Sequence, residues 1–169
     1  MYTLSETSLK MLKGVHPNLV NFMTELIKIS PWNFKITAGV RTAEEQNRLY
    51  QKGRSAPGAK VTNVDGYKLK SNHQVKFNGL GYATDIGVLV KEKVKVKVKE
   101  NGKEIEKEVE KTVYKGTWKD FHYYQDIYNT AKKAGLLEKY GIEWGGNCWR
   151  TFKDAPHWQI KGADRVAYK

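Results

Sequence analysis

The stretch Val88–Tyr114 constrains the fold most. Val94, Val96 and Val98 alternate with Lys93, Lys95, Lys97 and Lys99, and Asn101-Gly102 follows directly. A period of two does not suit a helix, and Asn-Gly is the strongest short signal for a two-residue type I′ turn. With those two residues as the loop, Val98 faces Ile105 and Val94 faces Val109. In the same register Lys99, Lys97, Lys95 and Lys93 face Glu104, Glu106, Glu108 and Glu110. One face of the ribbon is then apolar-biased. The other is a ladder of opposite charges, each pair contributing about 0.2–1 kcal/mol. A disordered charge run would have no reason to keep this register. The hairpin is expected to be an insertion, about residues 90–115, projecting from a sheet.

Residues 91–115 hold nine Lys and six Glu, a net of +3, whereas the whole chain carries +12. Most of the excess positive charge therefore lies elsewhere and implies a polyanionic neighbour: nucleic acid, an anionic membrane or an anionic cell-wall polymer. The lysines do not interleave with aromatics in any recognisable nucleic-acid module, so nucleic acid is the weakest of these. At 169 residues the chain reads as a single domain, 1–169, long enough to bury a core. Its only cysteine, Cys148, excludes an internal disulfide and any Cys-rich metal site, so a metal would need His and carboxylate ligands. The start, MYTLSETSLK, has no apolar signal-like core, and no stretch approaches the roughly 18 apolar residues of a membrane span. The expectation is synthesis as a soluble cytoplasmic chain and a monomer.

Taken in order, residues 5–13 read as a short helix with Ser5 as N-cap and Gly14 as its stop. Pro17 opens a second helix, whose Leu19, Val20, Met23, Leu26 and Ile27 recur at helical spacing up to Ser30-Pro31. His16 before it reads as a capping or surface residue. Phe34–Val40 alternates as a strand and delivers Arg41. Thr42 and Glu45 then form a capping box for a helix that Gly53 ends. Arg41 stands at a strand-to-helix junction, which leaves it open between a rigidly held functional group and a surface arginine. Residues 54–70 are a long Gly-, Asn- and Lys-rich loop leading to His73. After the hairpin, Thr117-Trp118-Lys119-Asp120 caps a helix with Phe121, Tyr124, Tyr128 and Ala131 inward and His122 on the solvated face. The fold class is α+β: a small antiparallel sheet flanked by helices, with the long hairpin inserted.

The chemistry-bearing residues fall in two stretches. Ser71–Val88 holds His73 and Asp85 around a glycine-rich turn, and Asp154-Ala155-Pro156-His157-Trp158-Gln159 holds a second carboxylate and a second histidine. A catalytic zinc site takes three His or carboxylate ligands and leaves a fourth position to water. His73, Asp85 and His157 meet that count for one zinc ion. Alternation in a strand puts Ala83, Asp85 and Gly87 on one face, and His157 with Gln159 on one face of another. Asp154, three residues before His157, is placed to serve as a base beside the ligands, and Arg41 to meet an oxyanion. Spacing alone leaves the two histidines open between structural and metal-binding roles.

These residues resemble the M15 group of zinc peptidases, and within it the L-alanyl-D-glutamate endopeptidases that bacteriophages use as endolysins. The motifs that carry the resemblance are Ser71-Asn72-His73, Gly81-Tyr82-Ala83-Thr84-Asp85 and Asp154-Ala155-Pro156-His157. Supporting stretches run from Gly14-Val15-His16-Pro17 through Ala38-Gly39-Val40-Arg41-Thr42 to Glu143-Trp144-Gly145-Gly146. The resemblance implies zinc on His73, Asp85 and His157, Asp154 as catalytic base and Arg41 as the substrate or oxyanion contact. It also implies hydrolysis of a peptidoglycan stem peptide, with the wall reached after release from the cytoplasm and anionic wall or membrane polymers as electrostatic contacts. A D-Ala–D-Ala carboxypeptidase or dipeptidase of the same fold, and a non-enzymatic wall binder, are the alternatives. Eleven residues separate His73 from Asp85, more than the family pattern uses. The surplus, within Gln74–Leu80, is expected to bulge outward.

Overall fold

The structure is a computed structural model, and it describes residues 1–100, 103–148 and 153–169. Among these residues the chain forms α1 (Glu6–Met11), α2 (Pro17–Ile29), β1 (Asn33–Ala38), α3 (Ala43–Gln51), β2 (Ala83–Glu100) and β3 (Lys103–Lys115). Then follow α4 (Phe121–Lys133), α5 (Leu136–Tyr140), β4 (Ile142–Trp144), the single turn α6 (Gly145–Cys148) and β5 (His157–Ile160). The architecture is α+β, as expected from the sequence.

Local chemistry explains where these elements begin. Ser5 accepts from the Ser8 backbone N–H at the start of α1. His16 caps α2 through Nδ1, with Pro17 in the first turn. Thr42 and Glu45 form the reciprocal capping box of α3. The amphipathic stripe of α2 buries Leu19, Phe22, Met23, Leu26 and Ile27. On α4 the buried residues are Tyr124, Ile127 and Ala131, while Phe121 and Tyr128 are only half-buried. His122 is exposed, as its polar helix face required.

All strand pairings are antiparallel, in the order β1-β2-β5-β4, with β3 also on β2. β2 organises the sheet. Its first residues pair with β1 on one edge and β5 on the other, and β3 takes over the β5 edge from Val88 outward. Alternation along β2 separates two faces. Ile86 and Val88 join Leu19, Phe22, Met23, Trp144 and Trp158 in the core. Asp85 faces away from that core and pairs in register with His157.

The hairpin has the register read from its sequence, from Val94↔Val109 to Lys99↔Glu104. Its turn, Asn101-Gly102, lies outside the described residues. The charged face differs in one respect: the ion pairs run diagonally, Lys91–Glu110, Lys95–Glu106 and Lys97–Glu104, at 3.8–4.0 Å. Strand twist brings long side chains to diagonal neighbours as readily as to those directly opposite.

The surplus between His73 and Asp85 does not simply bulge outward. Gln74 and Lys76 are buried, whereas Phe77 is exposed. Gln74 accepts from the Ser71 N–H and donates to the Gly66 carbonyl, and the Phe77 N–H reaches the Ala167 carbonyl. The enlarged turn is folded back and tied to the C-terminal segment.

Candidate metal centre and active-site cleft

A β-bulge in β1 begins the site. The register slips between Ile36 and Ala38 opposite β2, so the chain turns away from the sheet beside Asp85. The turn aims the Gly39 carbonyl at His73 Nδ1, 2.8 Å away. A carbonyl can only accept, so Nδ1 carries the hydrogen and Nε2 presents its lone pair. Gly39 is required there by space: a Cβ would lie 1.9 Å from the Met11 carbonyl oxygen.

His73 Nε2, His157 Nδ1 and Asp85 Oδ1 form a triangle. The imidazole nitrogens are 3.3 Å apart and each is 3.2 Å from the carboxylate oxygen. Tetrahedral ligands at zinc bond lengths near 2.0–2.1 Å stand about 3.3 Å from one another. These three side chains form a group able to hold a metal ion. Their outer atoms are fixed as well. Arg41 Nη2 donates to Asp85 Oδ2 at 3.0 Å, leaving Oδ1 for the triangle, and Nη1 donates to Gln46 Oε1 at 2.8 Å. His157 Nε2 donates to Gln159 Oε1 at 2.9 Å. Outer partners of this kind orient metal-binding imidazoles and raise their basicity.

The electrostatics call for positive charge in the triangle. Burial disfavours charge on Asp85, yet the two histidines hold its carboxyl well below the ordinary range. Burial lowers the His73 pKa. Burial also works against charge on His157, but the hydrogen bond and charge of Asp85 raise that pKa. Three acceptor atoms converge at little more than 3 Å, and only a shared proton or cation reconciles them.

Asp154 lines the same cleft, a cavity of about 1000 Å³ whose walls include Arg41, Lys52, Lys60, Lys70 and Tyr114. Its carbonyl accepts from the His157 N–H, fixing the carboxylate-bearing turn onto β5. Burial, with the nearby Asp85 charge, pushes its carboxyl up to about 6. A cation in the triangle would draw it down again. The structure thus brings together all five residues singled out from sequence: Arg41, His73, Asp85, Asp154 and His157. It adds three to which sequence reasoning gave no role: the Gly39 carbonyl on His73, Gln46 on Arg41 and Gln159 on His157. Gln46 and Gln159 lie close in sequence to the residues they hold, whereas the Gly39 carbonyl reaches His73 across 34 positions.

The fold around this centre is shared with a solved structure. It is similar to the crystal structure of the L-Ala D-Glu endopeptidase ChiX of Serratia marcescens, with a TM-score of 0.60 and 24% identity over 97% of this chain and 93% of that one. The chain belongs to the phage L-alanyl-D-glutamate peptidase family, whose model matches residues 1–114. That match contains Arg41, His73 and Asp85. Asp154 and His157 lie beyond it and reach the site through β5.

Proposed function

We propose that this chain is a zinc-dependent endolysin that hydrolyses the L-Ala–D-Glu bond of the peptidoglycan stem peptide. The observation that carries the proposal is the His73–Asp85–His157 triangle, whose three edges match the spacing of tetrahedral zinc ligands. When bound, zinc supplies Lewis acidity that makes water nucleophilic near neutral pH.

The chain's own residues carry the proton traffic and the positioning. Asp154 accepts the proton of the attacking water as the new C–O bond forms, and returns it to the amine nitrogen as the C–N bond breaks. Its carboxylate lines the same cleft wall as the His73–Asp85–His157 triangle, a position that suits both transfers. Arg41 keeps Asp85 in a one-oxygen grip and lines the cleft, where its cationic edge meets substrate carbonyl or carboxylate oxygen. Lys52, Lys60 and Lys70 give the cleft a positive wall suited to an acidic peptide. No helix among the described residues is long and apolar enough to cross a membrane. The proposed place of action is the cell wall, reached after synthesis in the host cytoplasm, and the basic surface favours anionic wall polymers.

The test pairs metal analysis with the Asp154→Asn variant. One zinc per chain in both proteins, with kcat of the variant reduced by about 100-fold or more, is the expected result. An Asp154→Asn enzyme of wild-type kcat would remove the assigned base.

A further inference from the structure

The enlarged turn between His73 and Asp85 delivers a buried lysine behind the metal centre. Lys76 Nζ donates to Asn72 Oδ1 at 2.8 Å and lies 3.3 Å from the centroid of the Tyr168 ring. The Asn72 amide then points its Nδ2 at Gln159 Oε1, 3.0 Å away, and at Asp164 Oδ1, 2.7 Å away. Gln159 Oε1 also receives the His157 Nε2 hydrogen, while Gln159 Nε2 donates to Glu143 Oε1 at 2.6 Å.

The order of donors and acceptors along this chain is dictated from its ends. An ammonium can only donate, so the amide oxygen of Asn72 must face Lys76 and its nitrogen must face Gln159. The Asp164 and Glu143 carboxylates can only accept, which favours the same orientation for both amides. Gln159 therefore presents oxygen, not nitrogen, to the imidazole. His157 must carry its hydrogen on Nε2, and its lone pair stands on Nδ1, inside the triangle. An amide turned the other way would put an N–H against Nε2 and move the ring hydrogen to Nδ1, where it blocks a ligand position.

We infer that Lys76 is a positioning residue for the metal centre, setting the ring tautomer of His157 through Asn72 and Gln159. This rests on the zinc reading proposed above. Burial lowers the Lys76 pKa to about 8, partly opposed by the Asp164 charge, so the side chain remains a cationic donor at neutral pH. The Tyr168 hydroxyl shares its one hydrogen between the Lys70 carbonyl at 3.0 Å and Asn72 Oδ1 at 3.1 Å, and an isolated backbone bridge joins Lys76 to Tyr168. The C-terminal segment and the enlarged turn thus close on each other around one amide. The surplus residues of this turn carry the donor-only end of the relay.

The test uses the zinc-loaded 169-residue chain and two readings. Zinc affinity is measured by competition with a chromogenic chelator for wild type and Lys76→Met, which keeps the aliphatic stem and removes the donor. Affinity is expected to fall by about tenfold or more, with faster exchange of the His157 Nε2 hydrogen in nitrogen-resolved NMR. A Lys76→Met protein with a lower melting temperature but zinc affinity within about twofold of wild type would show a structural role alone and overturn the inference. Should Lys76→Met fail to fold, the wild-type spectrum decides. Nε2 protonated and Nδ1 on zinc is expected, and the reverse overturns the relay. A wild type that binds no zinc overturns the reading beneath it as well, and the chelator assay alone reveals that case.

Discussion

Gly39→Ala tests the link between packing and the metal centre. The added Cβ would sit 1.9 Å from the Met11 carbonyl oxygen and 3.0 Å from its carbon, both backbone atoms, and 3.3 Å from Val15 Cγ2. Unstrained contacts lie near 3.5 Å, so α1 and the β1 bulge must separate by about 1.5 Å. Overpacking of this kind costs about 2–3 kcal/mol, toward the upper end of its usual range. For a chain of this size that lowers Tm by roughly 4–12 °C. The same displacement pulls the Gly39 carbonyl from His73 Nδ1, so zinc affinity should fall about tenfold. Gly87→Ala is the control. Its Cβ would meet the ends of the Tyr114 and Thr37 side chains, and half-exposed Tyr114 can swing aside, so the cost stays under about 1 kcal/mol. Thermal melts and chelator competition on both variants suffice. Equal melting temperatures for the two, or unchanged zinc affinity in Gly39→Ala, would refute the reasoning.

Three further outcomes are expected. Lys76 has a folded-state pKa of about 8 against an ordinary 10.5, so the unfolded chain binds more protons between those values and folding stability rises with pH across that window. Urea titrations at pH 7.5 and 10.5 should therefore show wild type gaining on Lys76→Met; parallel curves would count against a depressed pKa. Phe22→Ala empties a fully buried site against Trp158 and should cost about 3–5 kcal/mol, read as a shift in the urea midpoint. Shortening the ribbon to a tight turn just beyond the Val90–Val113 pair should leave Tm within about 3 °C, because most of what is removed is exposed. That variant should keep its activity on soluble muropeptide and lose activity on whole walls; equal activity on both would exclude a wall-binding role for the hairpin.

What could be read from the sequence is what local pattern controls. The β2–β3 register followed from alternation and its charge complement, and the Thr42–Glu45 capping box from four consecutive residues. The period of two put Asp85 on a face with Ala83 and Gly87 and His157 on a face with Gln159, and the pairing of β2 with β5 then set the two in register. The hidden parts depend on distant partners. Nothing local to Gly39 says that Met11 crowds it, nor does the Gln74–Leu80 segment say that Lys76 folds inward onto Asn72 and Tyr168. β4 and α5, at three and five residues, are too short to show a period. Phe121 and Tyr128 face inward as expected but are only half-buried, their rings lying against the buried Trp144, and Ile127 joins Tyr124 and Ala131 in the core.

The central claim is that the His73–Asp85–His157 centre serves cleavage between L-Ala and D-Glu. Its most direct test is mass spectrometry of a defined muropeptide after digestion by the zinc-loaded protein. New C-terminal L-Ala together with new N-terminal D-Glu is the result predicted. Released D-Ala, or intact muropeptide in the presence of fully zinc-loaded protein, would contradict it.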